Sequence, residues 1–186
     1  MRVRLIYSRR DGACFVPHTA LPQVFSRSAA RAGLRLMMTQ GFSPRPKFSF
    51  GPELPAGVVA LNEPADIFLQ DTTPDNLPER LNSSLPEGFR VSGATFPPED
   101  APSLGKSCIA AEYLIRHTQS LSLTDYITGF YGASLLEMGD VDGWLRVVTS
   151  EPSKNPIGAF VRNLREKSII TGWHQLNIVR LRVILS

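Results

Sequence analysis

Cysteine is scarce in this chain. The two in 186 residues, Cys14 and Cys108, stand far apart in neighbourhoods that read as buried strand or loop. That excludes a disulfide scaffold, a zinc finger or an iron–sulfur cluster built from this chain alone, and both read as small buried thiols. Histidine is as sparse: His18, His117 and His174 share no ligand spacing, so no metal and no cofactor is expected. Missing too is any apolar run near the roughly twenty residues that cross a bilayer. The start, MRVRLIYSRRDG, has neither the apolar stretch nor the cleavage site of an export signal, and a cytoplasmic protein is expected. Proline (15) and glycine (14) stay near ordinary usage, which excludes a collagen-like or low-complexity chain.

Catalytic spacings are absent as well. There is no Walker loop, no G-x-G-x-x-G after a strand, no H-E-x-x-H and no G-x-S-x-G. Asp140 and Asp142 flank Val141 just before Gly143, a pattern that reads as a hairpin turn ahead of a cation site. His18 is the candidate for acid–base catalysis, because a helix N-terminus beside basic neighbours keeps an imidazole neutral near pH 7. The competing reading has it cap or pack against that first turn, since no nucleophile or carboxylate partner stands in the same segment.

What the chain does have is charge in blocks. The formal net charge is +3, yet residues 1–50 hold nine cations against the single acid Asp11, a net +8. Residues 51–108 hold three cations and nine acids, a net −6. Such concentration points to a partner for the N-terminal segment.

Periodicity supplies the elements. Val3, Leu5 and Tyr7 alternate with Arg2, Arg4 and Ile6, a half-buried strand. Leu21, Val24, Phe25, Ser28, Ala29 and Ala32 line one face of a helix over about 18–32, closed by Gly33. Strands are predicted at 34–39, at Phe48–Phe50 and at 65–70. A helix over about 76–85 has Pro74 and Pro78 at its start and Leu77, Leu81 and Leu85 inward, and a strand follows near 89–96. This order is the split βαβ, ferredoxin-like plan. Residues 98–107 read as a linker between an N-terminal module, 1–97, and a C-terminal module, 108–186. The second module is predicted from strands at about 110–117, 143–150 and 177–185 and helices near 122–131 and 156–167. The fold expected is α+β with two ferredoxin-like modules, the second smaller and less regular.

The stretch from Gln40 to Gly51 interleaves Phe42, Arg45, Lys47, Phe48 and Phe50 around Pro44 and Pro46. Rings that stack on bases beside cations that meet phosphates suit RNA; the alternative is a structural loop anchored by its phenylalanines. Arg2 and Arg4 share a face of the first strand, Arg180 and Arg182 are expected to share a face of the last, and Arg27 and Arg31 stand one turn apart on the first helix. Together they predict a basic surface on the sheet and helix.

The segments MRVRLIYSR, FVPHTALPQVFSRSAARAGL, QGFSPRPKFSFGPELPAGV and LPERLNSSLPEGFRV, in this order and spacing, resemble the family of uncharacterised radical-SAM-associated proteins. That domain occurs alone or fused behind a cobalamin-binding radical SAM protein. Over the first hundred residues the resemblance is close; the C-terminal half matches loosely, through NPIGAFVRNL and the final strand. Where the family pattern has a Ser-His-Leu-Asp type of sequence, this chain has Pro17, His18, Thr19 and Ala20, so the histidine is kept without the acid. The resemblance implies an accessory or substrate-recruiting partner of a radical SAM enzyme.

The leading expectation is a non-catalytic accessory protein that binds RNA, tRNA or rRNA, or an RNA-containing complex. Its binding residues would be Arg2, Arg4, Arg27, Arg31, Gln40, Phe42, Arg45, Lys47 and Phe48. Two alternatives stand beside it: a protein-interaction module docking its 40–51 loop on a radical SAM partner, and a metal-independent RNA-processing enzyme using His18 as general base.

Overall fold

The computed structural model describes residues 1–70 and 75–186; Pro74, placed by the sequence at the start of a helix, lies outside the described residues. Its strands are β1 (Arg2–Arg9), β2 (Phe48–Phe50), β3 (Val59–Phe68), β4 (Phe89–Thr95), β5 (Cys108–His117), β6 (Leu135–Val141), β7 (Trp144–Ser150) and β8 (Leu176–Leu185). The helices are α1 (Leu21–Arg31), α2 (Leu77–Asn82), α3 (Leu104–Ser107), α4 (Thr124–Tyr131) and α5 (Ile157–Glu166). All eight strands join one mixed sheet in the order β4-β1-β3-β8-β5-β7-β6, with β2 beside β3. The chain is thus α+β, as expected.

Two sets of strands are visible in that order. The first runs β4-β1-β3-β2 and the second β8-β5-β7-β6, with every neighbour inside a set antiparallel. They join where β3 and β8 run parallel at Val59–Val179 and Ala60–Arg180. The second set is not the less regular one: its β6 and β7 have 7 residues each, whereas β2 in the first has 3. The sequence pattern does not announce β6, because LLEMGDV, on an exposed edge, carries no apolar alternation. It returns through Asp142 and Gly143, both at positive φ (51° and 76°), the two-residue turn that Asp-Gly favours.

Other departures have local causes. The strand predicted at 34–39 is reduced to two isolated bridges, Leu36 to Leu69 and Met38 to Pro46, because the chain leaves the sheet there as a hairpin. The strand predicted at 65–70 begins six residues earlier, at Val59, and ends at Phe68. The first turn of the predicted 18–32 helix is a tight 3-10 turn, His18–Ala20, before α1. The stretch 98–107, read as a linker, packs onto the sheet: Leu104 is fully buried, and the Arg2 guanidinium donates to the carbonyls of Ala101 (3.1 Å) and Pro102 (2.8 Å).

Burial follows the apolar periodicity. Leu21, Phe25 and Ala29 of α1 pack on Val3, Leu5 and Tyr7 of β1 in one core. Phe160 and Leu164 of α5 pack with Ile127 of α4 on Tyr113 and Ile115 of β5 in another. Each large apolar side chain so buried contributes about 1.5–3 kcal/mol. Gly88, at φ +85°, enters β4 so closely beneath the first loop that a Cβ there would lie 2.5 Å from the Arg10 carbonyl oxygen; only glycine fits.

Candidate functional site

On the helix-bearing side of the sheet the two apolar cores meet across a buried ionic layer. Arg9, Glu63 and Arg180 are each at most 3% exposed. Arg180 Nε donates to Glu63 Oε1 at 2.7 Å, and its Nη2 reaches both Glu63 Oε2 and the Pro52 carbonyl. Arg9 donates from Nη1 to the Val16 carbonyl at 2.8 Å and from Nη2 to those of Leu54 and Pro55. The two guanidinium groups thereby hold the proline-rich segment 52–55 against the strands. Burial weakens the hold of Arg9 on its proton, and the nearby Tyr7 and Glu63 act against that.

His18 stands at the edge of this layer. It is half-buried, its ring edge-on to Phe50 at 6.1 Å, and Phe50 in turn packs on Tyr7 and Phe25. Burial holds the imidazole below its ordinary value, with Glu53 pulling the other way. No carboxylate hydrogen-bonds it among the described residues. His18 thus packs by its ring against Phe50.

The opposite face of the sheet receives the first two arginines, and there the expected free basic surface fails. Asp66 is 1% exposed and accepts from Arg2 Nε at 2.7 Å and from Arg4 Nε at 2.8 Å. Arg4 itself is buried, so its charge is spent inside the fold. The same holds for the last strand. A bulge at Leu181, between the pairs Tyr113–Arg180 and Glu112–Arg182, turns the two arginines to opposite faces. Arg180 goes inward to Glu63, while Arg182 binds Glu112 at 2.7 Å. Glu112 also takes Arg146; burial pushes its carboxyl up, but the two arginines outweigh that and hold it below the usual range.

The hairpin over 37–47 keeps its candidates in solvent. Lys47 N donates to the Met37 carbonyl at 2.8 Å and Thr39 N to that of Arg45 at 2.7 Å, so the strands of the hairpin pair while Gln40 to Pro44 form its tip. Gly41, at φ +125°, turns the tip. Gln40, Phe42 and Arg45 are exposed, and the Phe42 ring stands wholly in solvent. Met37 and Met38 are exposed on the same hairpin. Arg27 and Arg31 are exposed on α1. Phe48 differs: it is half-buried, stacked on Phe50 with 5.7 Å between centroids, and belongs to the first core.

At the foot of the hairpin, Lys47 Nζ lies 4.3 Å from the Phe68 ring centroid. A cleft of about 910 Å³ opens there between the sheet and residues 96–104, and Arg2, Lys47, Phe48, Phe68 and Phe96 line it. Three sequence candidates, Arg2, Lys47 and Phe48, thus meet in one place. His18 is not among them, since its neighbour Phe50 points to the helix side and Ser49, opposite Asp66, to the cleft side. Sequence reasoning missed Glu63, Asp66, Phe68 and Phe96. Two acids inside the apolar run from Val58 to Leu69 were the available signal, since such acids need buried partners.

Among the described residues no cluster of His, Cys, Asp or Glu could hold a metal ion, and no helix is long and apolar enough to cross a membrane. Residues 2–141 match a family described as an uncharacterized protein conserved in bacteria (DUF2344). The match spans Arg9, His18, the hairpin and Glu63, while Arg180 lies beyond it. No curated protein matches the chain.

Proposed function

We propose that this chain, which belongs to the DUF2344 family of conserved bacterial proteins, is a non-catalytic, cytoplasmic RNA-binding protein that serves a radical SAM enzyme. The observation that carries the RNA reading is Phe42: a fully exposed phenylalanine at the tip of a braced hairpin offers a stacking platform for an unpaired base, worth about 1–3 kcal/mol per base. Residues 12–52 hold Arg27, Arg31, Arg35, Arg45 and Lys47 and no carboxylate, which suits a phosphate backbone. The radical SAM partner rests on the sequence resemblance alone. The strand orders β4-β1-β3-β2 and β8-β5-β7-β6 support reading residues 1–97 and 108–186 as ferredoxin-like units joined by 98–107, an architecture that RNA binders use, though fold alone assigns no activity.

Fluorescence anisotropy with a labelled tRNA tests this. Micromolar binding is expected, with log affinity falling against log salt at a slope of about −3 if four cations meet single-stranded phosphates. Phe42→Ala and the pair Arg45→Ala with Lys47→Ala each weaken binding about tenfold or more. Salt-independent binding, no binding at all, or variants that bind like the wild type would sink the reading. Met37 and Met38, exposed beside Phe42, favour a second reading in which the hairpin docks on the partner enzyme itself. That reading predicts that a radical SAM protein co-purifies from nuclease-treated lysate and is lost with Phe42→Ala.

A further inference from the structure

The cleft at the foot of the hairpin opens between two walls. One wall is β-sheet, carrying Phe68 and Ser49; the other is the 96–104 segment, carrying Phe96 and Ser103. Phe96 is 58% exposed, an aromatic ring left uncovered beside a cavity whose size falls in the range of small-molecule sites. Asp66 at its base is already matched by Arg2 and Arg4, the Lys47 ammonium adds a further positive charge, and Glu99 in the lining removes one, which leaves a balance of one positive charge.

An aromatic wall, hydroxyls and uncompensated positive charge in one concavity suit a flat ring that carries an anion. Building on the RNA reading above, we propose that the cleft takes one unpaired nucleotide, its base against Phe96 and its phosphate at Lys47. Lys47 closes the hairpin ladder and lines the cleft as well. It stands five positions from Phe42, at most about 17 Å of extended chain, so a strand stacked on the tip reaches the cleft within a few nucleotides.

Two probes test this: uridine 5′-monophosphate followed by nitrogen-15 NMR, and a labelled hexauridylate followed by anisotropy. The mononucleotide is expected to shift the amides of Ser49, Phe68 and Phe96 and to leave the hairpin tip unmoved. Phe96→Ala, at an exposed position, abolishes those shifts and weakens the hexamer about tenfold; Lys47→Ala does the same, whereas Phe42→Ala weakens the hexamer alone. Unchanged hexamer binding by Phe96→Ala, with Phe42→Ala still impaired, overturns the cleft and leaves the hairpin reading standing. Loss of all RNA binding by the wild type overturns both. Shifts produced by N-acetylphenylalaninamide and not by the nucleotide assign the cleft to an apolar peptide and overturn the proposal too.

Discussion

Arg180 and Glu63 form a two-point ion pair across 117 positions of sequence, with side chains only 1% and 4% exposed. Glu63 sits opposite Tyr7 in β3 and Arg180 opposite Tyr113 in β8, so each belongs to the face that carries the helices. With Arg9 they make a charged layer between two apolar cores.

Removing either partner strands the other in a dry interior. Glu63→Ala and Arg180→Ala should each cost about 3–5 kcal/mol, read as a fall in the urea midpoint. The double replacement Glu63→Met with Arg180→Met should cost much less than the sum of the two single changes. Additive losses would mean the pair is not coupled.

Edge strand β4 is protected by a side chain. Asn82, the last residue of α2, donates from Nδ2 to the Val91 carbonyl at 2.8 Å and accepts from Val91 N at 2.7 Å, filling the place of a neighbouring strand. Asn82→Ala should lose about 1–2 kcal/mol and scatter light on concentration, because a free edge then pairs between molecules. Equal stability and equal scattering would remove this role.

Burial holds the His18 imidazole below its ordinary value near 6.5. Above pH 6.5 the ring is neutral folded and unfolded, and the contribution is complete. As pH falls below 6.5 the unfolded chain takes the proton first, so stability drains away until the depressed folded value is reached. Melting temperatures measured from pH 8 to 5 should therefore fall faster for the wild type than for His18→Gln. Parallel curves would place the ring in water.

Much of the architecture is readable from periodicity, and the misses share one cause. The alternation in β1 correctly puts Arg2 and Arg4 on one side, away from Val3, Leu5 and Tyr7. Whether that side is wet depends on Asp66, 62 positions beyond Arg4, which no local pattern connects to it. Arg180 and Arg182 obey period 2 in the sequence, yet the bulge at Leu181 breaks that period in the fold. The blocks of +8 and −6 invited an external partner, and part of the answer is internal, since the acidic block supplies Glu63 and Asp66. What stayed legible is the irregular, Pro- and Gly-rich stretch itself; which of its phenylalanines anchor it was left open by the sequence, and in the structure Phe42 and Arg45 stand exposed.

Of the strands in this sheet β8 is synthesised last, but it lies in mid-sheet, between β3 and β5. Until it leaves the ribosome, β3 lacks its neighbour at Val59 and Ala60, and Glu63 waits without its cation. Leu54, Val58 and Ala60 wait likewise, since Leu176 and Ile178 of β8 complete their core. A nascent chain stopped before residue 176 is therefore a sticky, unfinished molecule, and completion is a single late event that closes a very long loop. Until β8 has emerged, this sheet is open to aggregation.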